Sequence, residues 1–344
     1  MKYTQAFLSK NPQTLQGIIG EKPRYIIFFG AGASYGSDSM VLQQNGILPP
    51  LGNKLLEALL IYPGLTKWNN LSETEINTFR EKGFETAMEE FKEIKEWNDL
   101  SAEFDLAQYF SDFQILPLNL YLKLFTKIRA KKWHGAVVSL NYETLIEQAM
   151  LKNSIFPVVK GVTYYDELPP LENKILGEMC YPHGACNFFM EQSWFDPASS
   201  LSFINVSLTQ KGGVYHILNK SNIAVACRNK IIPMLCRYQP QKPAPMKNYF
   251  IDGQQERCRQ LFTTAKAITI IGVLCNPIND SHLWEPLAQT NAFLNYVEPN
   301  EINQNAFKKW AMSNGKKQGV SFAIIPKTFE EAFETIIQIN NLRD

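Results

Sequence analysis

What this 344-residue sequence lacks narrows its reading before any motif does. Its six cysteines (Cys180, Cys186, Cys227, Cys236, Cys258 and Cys275) form no Cys-x-x-Cys pair, which argues against a zinc ribbon or a dithiol redox motif. The simplest account is a set of ordinary core thiols in a reduced, cytoplasmic protein, and no metal site is expected. No apolar run approaches the roughly 20 residues of a membrane helix. The opening stretch, Met1 to Lys10, lacks the long apolar segment of a secretion signal, so no membrane association is expected. Net charge is also scarce. With 34 basic and 33 acidic residues the balance is +1, and no strong pull toward nucleic acid follows.

What is present is a globular composition, 45% hydrophobic and 12% aromatic, with length for one large domain carrying insertions or for two modest ones. The chain is organised around residues 24–36. Tyr25 to Phe29 are five consecutive apolar residues, the pattern of a strand buried on both faces of a parallel sheet. Gly30 and Gly32 then permit dihedrals and close approaches that a side chain forbids. Backbone N–H groups in such a turn, leading into a helix, form a ready site for nucleotide phosphates. The plainer alternative is a strand that ends in a Gly-rich turn.

Residues 37–50 read as a loop closed by Pro49-Pro50, and Leu55, Leu56, Leu59 and Leu60 make one helical stripe stopped by Pro63-Gly64. Residues 65–130 read as helical, with Ser72 and Glu75 at capping-box spacing and a packed face through Phe84, Met88, Phe91 and Ile94. The basic cluster Lys127, Arg129, Lys131 and Lys132 fits a solvated helix end. A second buried strand, Ala136 to Leu140, runs into a helix read from Asn141 to Met150. Asn141 therefore stands at the carboxyl edge of the sheet, either as a ligand residue or as an ordinary N-cap. Short strands fit Phe156 to Val159 and Val162 to Tyr165, and Met179 to Cys186 is a strand edge with His183 at a Pro–Gly corner, exposed to whatever occupies the edge or bonded to the turn. His134, His216 and His282 have no comparable setting.

Residues 188–250 change character: β-like pieces at 201–206 and 213–218, Gly-Gly and Asn-Lys-Ser-Asn turns, and a Pro-rich connector at 239–245 suggest a β-rich insertion or lid. A helix over 257–266 leads to the strand 267–272, whose loop ends at Asp280. Asp280 or Ser281 would cap the helix carrying Trp284 and Leu287. Strands at 292–297 and 320–325 and a closing helix over 329–339 complete the alternation of a doubly wound parallel sheet, an α/β Rossmann-like fold. The expected division is a core at about 20–62, 131–187 and 256–344, a helical insertion at about 63–130 and a β-rich insertion at about 188–255.

Gly30 to Ser34 departs from the dehydrogenase fingerprint. Tyr35 stands where a third glycine would sit, and Glu57, the acid about 20 residues further on, falls in a helix. The order of elements instead resembles the sirtuin-like superfamily, on the turn Gly30-Ala31-Gly32-Ala33-Ser34, the strand end Asn141-Tyr142-Glu143, the corner His183-Gly184 and the late loop Gly272 to Asp280. Pro50-Leu51-Gly52 and Gly83-Phe84-Glu85 resemble the family's inserted segments, and Tyr296 to Asn300 its final nucleotide-side strand. Glu143 replaces the family's usual Asp, the late loop lacks the Ser of protein deacylases, and the deacylases' two zinc-binding Cys pairs are absent. On that ground the chain resembles the bacterial sirtuin-like NAD hydrolases of antiphage defence more than the deacylases, and no zinc is expected.

That resemblance implies NAD as substrate, with Gly30, Ala31, Gly32 and Ser34 around its pyrophosphate and Glu143, Gly272 and Asp280 also in the binding site. It implies Asn141 and His183 as the catalytic pair. The residue types suit the chemistry. Cleaving the nicotinamide–ribose bond passes through an oxocarbenium-like state, as glycoside hydrolysis does. Nicotinamide leaves neutral, so no strong general acid is needed, and an imidazole with an ordinary pKa of about 6.5 suits the base. Asn141 would hold water or a ribose hydroxyl in line, with Asp280 and then His282 as weaker candidates for a ribose contact. The family further implies a homo-oligomer and control by a partner defence protein, such as an ATPase or a phage-sensing subunit. An NAD-dependent protein deacylase and a non-catalytic NAD- or ADP-ribose-binding scaffold are the alternatives.

Overall fold

The computed structural model describes residues 23–37, 48–91, 101–131, 133–166, 175–190, 213–229, 231–235 and 249–342. Among them, seven strands form one sheet: β1 (Tyr25–Phe29), β2 (Gly135–Ser139), β3 (Ile155–Val159), β5 (Ile175–Cys180), β9 (Ala267–Ile271), β10 (Phe293–Val297) and β11 (Phe322–Ile325). They lie in the order β11-β10-β9-β1-β2-β5-β3, and every pairing is parallel. The remaining strands, β4 (Thr163–Tyr164), β6 (Gly184–Met190), β7 (Val214–His216) and β8 (Pro233–Leu235), form a small mixed sheet in the order β4-β7-β6-β8.

The continuous apolar runs of the large sheet resolve into two cores by the two-residue period of a strand. In β1, Ile27 and Phe29 join one core while Ile26 and Phe28 join the other. Val137 in β2 faces with the first pair, and Ala136 and Val138 with the second. The first face is covered by α5 (Ser101–Ser111), α6 (Leu120–Lys131), α7 (Leu145–Lys152) and α12 (Phe329–Ile339), after the short helices α1 (Ala31–Tyr35), α2 (Leu55–Ile61), α3 (Glu73–Lys82) and α4 (Phe84–Phe91). The second is covered by α9 (Tyr249–Thr264), α10 (Ser281–Gln289) and α11 (Glu301–Ser313), through Phe262, Trp284, Phe307 and Trp310. The sheet is therefore wound on both sides. β1 has β2 on one flank and β9 on the other, so chain progression reverses between β1 and β9, and a cleft opens beyond their carboxyl ends.

Local signals explain several boundaries. The Ser72–Glu75 capping box forms at the start of α3, and Thr328 with Glu331 makes a second one at α12. The Asn-Lys-Ser-Asn stretch expected to be a turn is instead the start of a helix, α8 (Lys220–Arg228). Asn219 is its N-cap, accepting from the Ser221 N–H at 2.8 Å. The helix expected from Asn141 begins four residues later, at Leu145, with Thr144 at the N-cap position, so Asn141 is not a cap. The Glu143 carboxylate takes the Leu145 N–H at 2.6 Å and leaves the Asn141 side chain for other work. The helix expected from Arg257 starts earlier, at Tyr249. The β-like piece at 201–206, the Pro-rich connector, Ile94, Lys132 and Cys236 lie outside the described residues.

The two sheets are tied by the Tyr164 hydroxyl of β4, which donates to the Pro157 carbonyl of β3 at 2.7 Å, and by a buried carboxylate. Glu147 on α7 accepts from the Tyr181 hydroxyl at 2.6 Å and the Asn187 amide at 2.5 Å, and His216 Nε2 lies 2.9 Å away. All four residues are buried. Removing such an acceptor orphans several buried donors at once, each costing about 1–3 kcal/mol. Glu147→Ala should therefore lower unfolding free energy by roughly 3–5 kcal/mol in urea titrations. A loss below about 1 kcal/mol would contradict the role given to Glu147.

Candidate active site

The cleft is built on a backbone-to-backbone contact. Gly30, at the end of β1, donates its N–H to the Ile271 carbonyl at 3.0 Å, and Gly32 donates to the Gly272 carbonyl at 3.0 Å. A Cβ on Gly30 would sit 2.5 Å from the Gly272 oxygen, and one on Gly32 2.9 Å from the Gly272 Cα. Gly272 has φ +62°, and a Cβ there would meet the Ala33 nitrogen at 2.1 Å. The glycines expected to approach a ligand thus approach one another first, and the Gly30 and Gly32 N–H groups are committed to the β9 loop. Ala31 is exposed at the surface of this turn.

Beneath the turn lies a buried polar cluster. The Ser34 hydroxyl bonds to the Glu143 carboxylate, lies 2.9 Å from the Tyr121 hydroxyl and accepts from the Asn141 side-chain amide at 2.7 Å. Ser34, Tyr121, Asn141 and Glu143 are all buried. Burial pushes the Glu143 carboxyl above its ordinary range, against the bonds from Ser34, Leu145 and Asn141 that favour its charged form. The extra carbon of Glu143 spans from the strand end to Ser34 on one side and to the Leu145 N–H on the other. Its carboxylate therefore organises the floor of the cleft. The Asn141 Oδ1 is buried and has no hydrogen-bond partner among the described residues. An acceptor in that state suits a hydroxyl or water supplied by a ligand.

The opposite wall carries the histidines. The chain leaves the large sheet at Cys180, turns through Tyr181 to His183 and enters β6 at Gly184, whose φ is +71° and whose added Cβ would lie 1.8 Å from the Met234 carbonyl. That turn buries His183 to 3% exposure while keeping it on the lining of the cleft at the sheet edge. Its Nε2 lies 3.1 Å from the His282 Nε2 and 3.4 Å from Asp280 Oδ1. Asp280 occupies the N-cap position of α10 but makes no side-chain cap bond, and its carboxylate faces His183 instead.

Nine of the ten residues singled out from the sequence, Gly30, Ala31, Gly32, Ser34, Asn141, Glu143, His183, Gly272 and Asp280, line this one cleft of about 1120 Å³; the tenth, His282, is not on its lining and sits behind it against His183. Pro50, Leu51, Gly52, Gly83 and Phe84 from the two inserted segments line it as well, while the Glu85 side chain lies outside the description. Two participants were passed over. Tyr121, in the middle of a helix, closes the Ser34 cluster, and no local pattern marks it. Glu298 lines the cleft immediately after β10 and accepts the Asn300 N–H at 2.9 Å. An acid directly after an apolar strand is a readable signal, and it sits two strands from β1. Glu57 lies on α2, paired with Arg80 at 2.9 Å in solvent.

No protein-family model matches the sequence, and no curated protein matches it. Several solved structures align with the chain at low identity. A structure described for the mechanism and regulation of Sir2 enzymes aligns at 12% identity and TM-score 0.45, over 95% of this chain and 96% of that one. A Sir2 homologue in complex with NAD aligns at 11% and 0.40, over 96% and 95%. A sirtuin studied for substrate affinity aligns at 11% and 0.41, over 96% and 99%. The functional reading therefore rests on the residues of the cleft.

Ionising Glu143 opposes folding, because its folded pKa lies above the ordinary 4.5. The folded state is favoured while both states bind the proton and loses that advantage as pH rises from 4.5 through the raised folded value. Thermal unfolding should accordingly show wild type losing ground to Glu143→Gln over that rise. A Tm difference that stays flat with pH would contradict the buried, displaced carboxyl.

Proposed function

We propose that the chain is an NAD hydrolase that cleaves the nicotinamide–ribose bond to give nicotinamide and ADP-ribose. The observation that carries this reading is the pairing, across one cleft, of the orphaned Asn141 acceptor with the buried His183 imidazole. A water oxygen bonds to the anomeric carbon as the carbon–nitrogen bond breaks. The electron pair of that bond passes to nicotinamide, which leaves neutral, and the proton of the water passes to His183 Nε2. Asn141 Oδ1 holds the water or a ribose hydroxyl in line. Asp280, 3.4 Å from the imidazole, balances the positive charge that His183 then carries. Glu143 and Tyr121 act through Ser34 and Asn141 and are positioning residues.

The Gly30–Ser34 turn and the Gly272 loop form the wall against which the pyrophosphate lies, and Glu298 faces the far end of the dinucleotide. In the cell, on the resemblance of its motifs, the chain is the NAD-depleting effector of a bacterial antiphage defence system. It is held inactive by its own oligomeric state or by a partner until infection. No described helix is long and apolar enough to cross a membrane.

A positioned general base contributes about 10²–10⁴-fold to such a step. His183→Ala should lower nicotinamide release from NAD by that factor, and Asn141→Ala by at least about tenfold, with circular dichroism unchanged. Turnover that survives both substitutions would place the chemistry elsewhere.

A further inference from the structure

The wall opposite the glycine turn holds more than a base. His183, Asp280 and His282 each offer one donor atom, and the three lie within 4.8 Å of one another. Two imidazole Nε2 atoms stand 3.1 Å apart, with a carboxylate oxygen 3.4 Å from the first. Two neutral imidazoles facing through Nε2 can share only one proton, and charging both rings sets like charges together. A divalent cation satisfies both lone pairs and the carboxylate at once. Bonds of about 2.0–2.1 Å at the tetrahedral angle place neighbouring donors roughly 3.3 Å apart, close to the 3.1 and 3.4 Å of the two pairs that include His183; Asp280 and His282 lie within 4.8 Å of each other, and a small rotation of the carboxylate toward the ion closes the set.

We propose that His183, Asp280 and His282 bind a divalent transition metal of the zinc type, and that its occupation inhibits the chain. Two imidazoles and one carboxylate suit zinc, whereas magnesium and calcium prefer all-oxygen sets. The carboxylate offsets one of the two metal charges. Three protein ligands leave a fourth position, and His183 and Asp280 both line the cleft from which it is reached. The inhibitory part rests on the NAD-cleavage reading: a metal on the Nε2 lone pair of His183 removes the acceptor for the proton of the attacking water. No local ligand spacing marks the site, because its histidine and aspartate ligands come from two distant segments and include no cysteine. His183 lies on the turn into β6, Asp280 at the N-cap of α10, and His282 in the first turn of that helix.

The test is a titration of chelator-treated full-length protein with Co²⁺, which reports four- or five-coordination by visible absorption. Wild type should bind one equivalent that Zn²⁺ displaces. Asp280→Asn and His282→Gln should each weaken binding at least about tenfold, with Tm recorded to show that they fold. Absence of binding in wild type, or binding unchanged in both variants, overturns the site, the latter outcome placing the metal elsewhere on the chain. In the nicotinamide-release assay, Zn²⁺ should suppress wild-type turnover, and a chelator should restore it. Zinc that occupies the site yet leaves turnover unchanged, or raises it, overturns the inhibition. The cobalt titration reads the site whether or not NAD is cleaved, so failure of the NAD reading and failure of the site are separate results.

Discussion

Backbone lies directly against backbone where β1 and β9 end, and the cleft depends on that contact. The sheet alone would leave the two strand ends side by side at the ordinary separation of parallel neighbours. Gly30, Gly32 and Gly272 let the turns that follow them come closer, to where a single Cβ would collide with a carbonyl or an amide nitrogen. Helix α1 then starts directly after β1 and carries Ser34 inward, over the end of β2, where Asn141 and Glu143 meet it. Moving any of the three glycines apart would move Ser34, and with it the orientation of the Asn141 acceptor.

Charge on the floor of the cleft is controlled by burial. Glu143 is fully enclosed and its charged form is disfavoured, yet it takes hydrogen bonds from Ser34 and the Leu145 N–H. On the opposite wall the balance differs. His183 faces a carboxylate and a second imidazole, an arrangement that accommodates positive charge, from a proton or from a metal ion. Under the proposed hydrolysis, the proton released from water would pass to the wall that accepts positive charge.

Much of the architecture was legible because buried parallel strands are short, apolar and bounded by glycine or loop residues. Tyr25–Phe29, Gly135–Ser139, Ala267–Ile271 and Phe293–Val297 all stand out in this way. The candidate site was legible in part, because chain order alone brings strand ends to one sheet edge. What could not be read were the relations between distant segments. Asn141 looks like an N-cap until Glu143 is seen to take the Leu145 N–H. His183 acquires its partners His282 and Asp280 only once α10 is packed against the turn into β6, and Tyr121 belongs to the site only because α6 crosses the end of β1. Asn219 reads equally well as a turn or as a cap, and the helix that follows it, from Lys220, decides the matter.

The central claim is that water attacks the ribose of NAD in the cleft between β1 and β9. The most direct test is to incubate the purified chain with NAD in ¹⁸O-labelled water and to analyse the products by mass spectrometry. The account predicts nicotinamide and an ADP-ribose carrying one solvent oxygen at its anomeric position. ADP-ribose free of the label, or label found only when an acylated peptide is present, would contradict it.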